Sequence, residues 1–310
     1  MSETDRPRPR RRRPLRTAVG LAVLLTVIGY AVAQLDSNGG GAPYCTATAK
    51  GVDGGSADSV GTYEMTPEQA ANAATIAAVG ISKGLPDRAL TIALATAMQE
   101  SGLRNLDHGD RDSLGLFQQR PSQGWGTPQQ ITDPVYSAGI FYDRLVEVKG
   151  YTRLPLTVAA QRVQLSGFPQ AYAKHEPDAT VLTAAFGENG SGATLFCSGP
   201  PPKGGDPERI RAELARDFGK EAPGAGARAG GQAGAQAAAP GEVVVQLKPG
   251  GAEERRGRAV AHWAVARSRD LGISGVSYGR SAWTAGQDKG RWQPRGAGAG
   301  PDEVRISVAR

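Results

Sequence analysis

The side chain with the clearest chemical potential in this sequence is Glu100, at the end of an apolar stretch. From Asp87 onward the segment is apolar almost all round, which is typical of a helix buried inside a domain. A carboxylate in the last turn lies beside apolar surface and near the negative end of the helix dipole, and both effects raise its pKa. The pattern predicts a general acid that works near neutral pH. The alternative is an exposed glutamate at a helix end with no chemical role.

A second polar run follows Glu100 and contains the other candidate site residues. Ser113 precedes an apolar Gly-Leu-Phe strip, and Gln118 and Gln119 follow that strip. Gly115 permits close backbone approach, and side-chain amides suit neutral sugars, which need fixed donors and acceptors rather than charge. We predict Gln118 as the strongest binding residue, with Gln119 beside it. Ser113 either hydrogen-bonds the substrate or Glu100, or caps a turn.

Aromatic residues give a further candidate. Trp125 lies between two glycines, which fits equally an indole that stacks on a sugar and a buried anchor of an irregular loop. Tyr136, Tyr142 and Tyr172 fall on apolar helix faces. There a tyrosine is usually a core residue with a solvated hydroxyl, so we predict a structural role for all three.

Taken together, these motifs resemble the soluble lytic transglycosylase branch of the lysozyme superfamily, in its exported actinobacterial members. The resemblance rests on Glu-Ser-Gly beginning at Glu100, on Ser-Leu-Gly-Leu-Phe-Gln ending at Gln118, and on the later run 163–172. It covers roughly residues 64–197, with Phe117 in place of the usual Met. It implies a lysozyme-like fold that needs no cofactor.

The resemblance also implies a reaction. Glu100 would protonate the glycosidic oxygen of the β-1,4 bond between N-acetylmuramic acid and N-acetylglucosamine in peptidoglycan strands. It would then act as base while the muramoyl 6-hydroxyl closes a 1,6-anhydro ring. A hydrolytic muramidase would instead use a second acid. Asp110 and Asp112 are the candidates, although their surroundings predict a solvated loop.

A non-enzymatic interpretation also stays open. Phe186 stands where the family's late tyrosine motif is expected, which favours a peptidoglycan-binding protein without turnover, or an envelope scaffold. Metal binding is not predicted, because the two cysteines and the three histidines lack ligand spacing: His108, His175 and His262.

The amino terminus predicts export. Residues 1–16 hold seven arginines against two acids, and residues 17–35 carry no charge. This is the pattern of a membrane-targeting element with its basic side in the cytoplasm. We predict a transmembrane anchor with the remainder outside the cell membrane. The alternative is a signal peptide cleaved after residues 1–33, with secretion to the cell wall. The rest of the chain is nearly neutral, which argues against a nucleic-acid partner, and no pattern indicates a protein partner.

Composition divides the exported part into four segments. Residues 36–61 predict a flexible stalk, and 62–197 a mainly α, lysozyme-like domain. Residues 198–241 predict a linker rich in Pro, Gly and Ala that holds one short helix, and 242–310 a small α+β accessory domain. His262 in that last domain is expected on the surface of a helix.

Two cysteines bracket the helical segment. Cys45 and Cys197 are the only two in the sequence, and in an oxidising compartment such a pair predicts a disulfide. Two unrelated buried thiols are the alternative.

Overall fold

A computed structural model describes part of the chain. The described residues are 42–51, 59–167, 169–189, 192–219, 241–247, 251–294 and 303–310. The predictions for residues 1–16 and 17–35 lie outside them. Within the described ranges, every helix is too short or too polar to span a bilayer.

The described helices follow the predicted order closely. They are α1 (Pro67–Ser82), α2 (Asp87–Ser101), α3 (Pro128–Ile131), α4 (Pro134–Glu147), α5 (Leu156–Gln164), α6 (Glu176–Phe186), α7 (Pro207–Asp217), α8 (Gly251–Ala266) and α9 (Ser268–Leu271). Helix α1 begins with a capping box, in which the side chains of Thr66 and Gln69 each accept a hydrogen bond from the other residue's backbone N–H. A 3₁₀ segment, Pro169–His175, directly precedes α6.

Two antiparallel sheets accompany the helices in the described part of the chain. The first has the order β2-β1-β3 and consists of β1 (Tyr44–Lys50), β2 (Val60–Met65) and β3 (Thr194–Ser198). The second has the order β4-β8-β5-β6-β7 and consists of β4 (Glu242–Gln246), β5 (Ile273–Tyr278), β6 (Ser281–Thr284), β7 (Gln293–Pro294) and β8 (Glu303–Val308). The architecture is therefore mixed α and β, with a helical middle and a small α+β part at the carboxyl end.

The prediction of a flexible stalk over 36–61 is wrong for β1. This strand is the centre of the first sheet, and Cys45, Ala47 and Ala49 on one of its faces are buried. The strand consists mostly of Ala and Thr, so its two-residue periodicity carries little hydrophobic contrast. The composition of this segment is therefore close to that of a linker.

The predicted disulfide is confirmed. Cys45 and Cys197 lie directly opposite each other on β1 and β3 and are bonded. The bond closes the chain around α1 to α6, because the two residues are 152 positions apart.

The carboxyl-terminal part shares a core with the helices, and residues 43–310 form one compact unit. Helix α8 contacts α1, α6 and β3. Asp217 accepts hydrogen bonds from Thr75 Oγ1 and Trp263 Nε1, both at 2.8 Å. It also forms an ion pair with Arg267 at 3.1 Å. The predicted boundary between 62–197 and 242–310 thus runs through a continuous core.

His262 is not the surface residue that the sequence predicts. It is 5% exposed, and its Nδ1 lies 2.6 Å from the carbonyl oxygen of Ala185. Burial holds its pKa down, at about 4. Helix α8 is covered on several sides, so the polar residue satisfies a carbonyl at the end of α6 instead of facing water.

Replacing both cysteines tests the closure. Cys45→Ser with Cys197→Ser should lower the free energy of unfolding by roughly 5 kcal/mol, because opening so long a loop increases the entropy of the unfolded chain. Urea denaturation measures the loss. Dithiothreitol should lower the Tm of the wild type and leave that of the double variant unchanged. An equal response in both proteins would contradict the assignment.

Candidate functional site

Glu100 lies in the last turn of α2, as predicted. Residues 89–98 of this helix are all buried, and Glu100 is the partly buried group that follows them. The helix ends at Gly102, whose φ of 62° is the left-handed conformation that favours glycine. The chain therefore leaves the helix directly after the Glu-Ser pair.

Two donors meet the Glu100 carboxyl group. The hydroxyl of Tyr172 donates to Glu100 Oε1 at 2.6 Å, and the Gln164 side chain hydrogen-bonds the same carboxyl group. Burial raises the pKa of Glu100 above its ordinary value, while the two hydrogen bonds oppose that shift by stabilising the carboxylate. Such a group can give up a proton and take it back.

Tyr172 is a neighbour of Glu100 that the sequence did not predict at the candidate site. The sequence predicts a core residue with a solvated hydroxyl at this position, and places the family's late tyrosine motif at Phe186. Tyr172 is fully buried in the Pro169–His175 segment, but its hydroxyl reaches Glu100, 72 positions away in sequence. Burial and the neighbouring carboxyl group raise its pKa, so it remains a donor at neutral pH. Its place in the run 163–172, which carries the family resemblance, was the available signal.

The Gly-Leu-Phe strip is fixed against two helix ends. Ser101 Oγ lies 2.8 Å from the carbonyl oxygen of Leu116, and Gln164 Nε2 donates to that of Phe117 at 2.8 Å. Gly115 allows the strip to approach α3, because a Cβ there would lie 2.5 Å from the carbonyl oxygen of Ile131. The strip thus sets the position of Gln164, which in turn contacts the carboxyl group.

The predicted binding residues are mostly buried. Ser113 and Gln119 are 7% and 1% exposed, and Gln119 Nε2 donates to the carbonyl oxygen of Ser137 at 3.0 Å. Gln118 is half-buried, with its Nε2 3.3 Å from the carbonyl oxygens of His108 and Gly115. Of the polar residues predicted around the strip, Gln118 is the one with an accessible side chain.

Trp125 takes the buried one of its two predicted roles. It is 7% exposed, and the Arg144 guanidinium lies 3.5 Å from the centre of its ring. Arg144 also donates to the carbonyl oxygen of Gly124 at 2.8 Å. The indole therefore anchors the loop and has its face covered by a cation.

The two candidate second acids lie in different surroundings. Asp110 is exposed, whereas Asp112 accepts hydrogen bonds from Arg120 Nε at 2.8 Å and from the backbone N–H of Ser122 at 2.9 Å. The Arg120 guanidinium holds the pKa of Asp112 well below its ordinary value. Asp112 is therefore ionised at neutral pH, and it links its own loop to Arg120 and Ser122. Among the described residues, no cluster of His, Cys, Asp and Glu is arranged to hold a metal ion.

Comparison of the chain with protein-family models and with curated proteins gave no significant match, so the chemistry of this site rests on its own geometry.

The raised pKa of Glu100 has a consequence for stability. The folded protein holds this proton more tightly than the unfolded chain, so ionisation destabilises the fold as pH rises between the two pKa values. Glutamine cannot ionise. Glu100→Gln should therefore have a higher Tm than the wild type at about pH 8, with the difference shrinking towards about pH 4.

Glu147→Gln is the matched control, because Glu147 also ends a helix but is exposed. Its Tm difference from the wild type should show no comparable dependence on pH. A Glu100→Gln variant that is less stable than the wild type at alkaline pH would contradict the buried-acid geometry.

Proposed function

We propose that this protein is a lytic transglycosylase of lysozyme-like fold that cleaves the β-1,4 bond between N-acetylmuramic acid and N-acetylglucosamine. Glu100 is its general acid and base. The observation that carries the proposal is the contact between Tyr172 and a carboxyl group whose pKa burial raises. Export to the cell envelope and attachment to the membrane through residues 17–35 belong to the same proposal.

The reaction needs one group that acts twice. Protonated Glu100 gives its proton to the glycosidic oxygen, the bond from C1 of the muramoyl residue to that oxygen breaks, and N-acetylglucosamine leaves with a free 4-hydroxyl. The substrate's own acetamido oxygen stabilises the positive charge at C1. The Glu100 carboxylate then takes the proton of the muramoyl 6-hydroxyl, whose oxygen bonds to C1 and closes the anhydro ring. Tyr172 and Gln164 stabilise the carboxylate between the two steps.

The state of Asp112 favours this route over hydrolysis. A retaining muramidase needs a second carboxylate beside the cleaved bond. Asp112 is held by Arg120 and by the backbone of Ser122, so both of its oxygens are already engaged. A mechanism with a single acid does not need it.

Product analysis tests the proposal. Purified peptidoglycan incubated with the full-length chain should release muropeptides with 1,6-anhydro ends, identified by mass spectrometry. Glu100→Gln should lower the rate by roughly 10²–10⁴-fold, because general acid–base catalysis is lost. Glu147→Gln should keep the wild-type rate.

Each other product pattern contradicts the proposal in a different way. Reducing ends would identify a hydrolytic muramidase. Binding of peptidoglycan without products would identify a wall-binding protein. Neither binding nor products would leave an envelope scaffold.

The pH profile tests the role of Tyr172. In Tyr172→Phe the carboxylate loses a donor, so the pKa of Glu100 should rise further and the alkaline limb of the rate profile should move to higher pH. The maximal rate should fall by about tenfold, since a hydrogen bond to a charged group contributes about 1.5 kcal/mol or more.

Tyr142→Phe is the control, because this buried hydroxyl donates to the carbonyl oxygen of Ile76 at 3.0 Å, away from Glu100. It should lower stability and leave the position of the profile unchanged. An unmoved profile in Tyr172→Phe would exclude the assigned role.

A further inference from the structure

The outer face of the first sheet carries a groove of about 560 Å³. On the inner face, Cys45, Ala47 and Ala49 are buried, and α6 contacts β1. Side chains alternate along a strand, so the intervening residues line the groove. The strand register places them in two rows across the sheet: Glu64, Thr46 and Phe196, then Thr62, Thr48 and Thr194.

A short segment from the carboxyl-terminal part forms one wall. Lys289, Arg291 and Trp292 line the groove there. The segment is fixed to the sheet, because Trp292 Nε1 donates to the carbonyl oxygen of Leu195 at 2.7 Å. Gly290 packs against the carbonyl of Cys197 so closely that a Cβ would overlap it. The wall is therefore part of the folded unit.

Several polar groups in this groove have no hydrogen-bond or ion-pair partner among the described residues. Thr46 is 4% exposed, and its Oγ1 has no hydrogen-bond partner in the described part of the chain. Buried hydroxyls are normally hydrogen-bonded, so this one, which lies beneath the groove surface, stays unsatisfied unless a bound group reaches it. Lys289 and Glu64 are exposed and form no ion pair with another described residue. Arg291 is also exposed, and its guanidinium lies 5.4 Å from the centre of the Phe196 ring.

We propose that the groove binds an anionic carbohydrate, that is, a saccharide or polyol chain with carboxylate or phosphate groups. Two cations against one carboxylate favour a ligand of net negative charge. Threonine hydroxyls both donate to and accept from ligand hydroxyls, and Glu64 accepts from them. The exposed ring of Tyr44 offers an apolar face to a sugar ring. This site shares no residue with the one around Glu100 and does not depend on its chemistry.

Binding is measured by calorimetry on full-length protein in detergent, in the Glu100→Gln background so that no probe is cleaved. The probes are an oligogalacturonate, a glycerol phosphate oligomer and neutral maltohexaose. The anionic probes should bind at least about tenfold more tightly than the neutral one, and the stronger of the two identifies carboxylate or phosphate as the preferred group. Equal binding of all three, or no binding, overturns the proposal.

Two substitutions assign the binding to the groove. Lys289→Gln and Thr46→Val should each weaken binding by about fivefold, the size of a strong exposed ion pair or of one hydrogen bond. Lys50→Gln is the control, since Lys50 is exposed on the same strand as Thr46 but lies outside the lining. An equal loss of affinity in Lys50→Gln would show general electrostatic attraction instead of a defined site, and would overturn the proposal.

Thermal unfolding of Thr46→Val shows whether the hydroxyl contributes to the stability of the fold. Its Tm without ligand should equal or exceed that of the parent, because the substitution removes an unpartnered hydroxyl. A lower Tm would show that the hydroxyl serves the fold, and would also overturn the assignment.

Discussion

The candidate site depends on one constraint, a carboxyl group kept partly out of water at the end of a buried helix. Burial raises the proton affinity of Glu100, and hydrogen bonds from Tyr172 and Gln164 hold that rise in check. Burial favours the protonated form, which can donate a proton, and the hydrogen bonds favour the carboxylate, which can accept one. Their balance depends on the end of α2 and on the stretch 164–172, which lie far apart in the sequence and meet at one point.

The surrounding contacts hold that meeting point in place. Ser101 and Gln164 fix the Gly-Leu-Phe strip from two helices, and Phe117 of the strip stacks on Phe141 of α4 with ring centres 4.6 Å apart. A site built on helix ends and a packed strip keeps its geometry better than one on free loops. The disulfide and the buried ion pair of Asp217 with Arg267 hold the sheet and α8 to the same helical body.

The sequence predicted the features whose signals are local. An apolar stretch that ends in an acid predicted Glu100 in the last turn of α2, and the residue patterns predicted the helical middle and the α+β part at the carboxyl end. The strand β1 was missed because Ala and Thr give it little contrast between its two faces. A local pattern also does not show which face of a helix or strand a later part of the chain covers.

The same limit explains the errors at the site. Trp125 is buried because Arg144 of α4 lies over it. The Gln119 amide already donates a hydrogen bond to a backbone carbonyl of α4. Tyr172 reaches Glu100 only because a 3₁₀ segment turns its hydroxyl inward at that place. Each of these outcomes is a tertiary contact between residues that single-sequence patterns treat as independent.

The most direct test of this account is an NMR titration of the Glu100 side-chain carboxyl in the folded, substrate-free protein. Burial at the end of α2 predicts a pKa clearly above the ordinary glutamate value of about 4.3. A value at or below the ordinary one would mean that the carboxyl group is as well solvated as any surface glutamate, which contradicts the central claim.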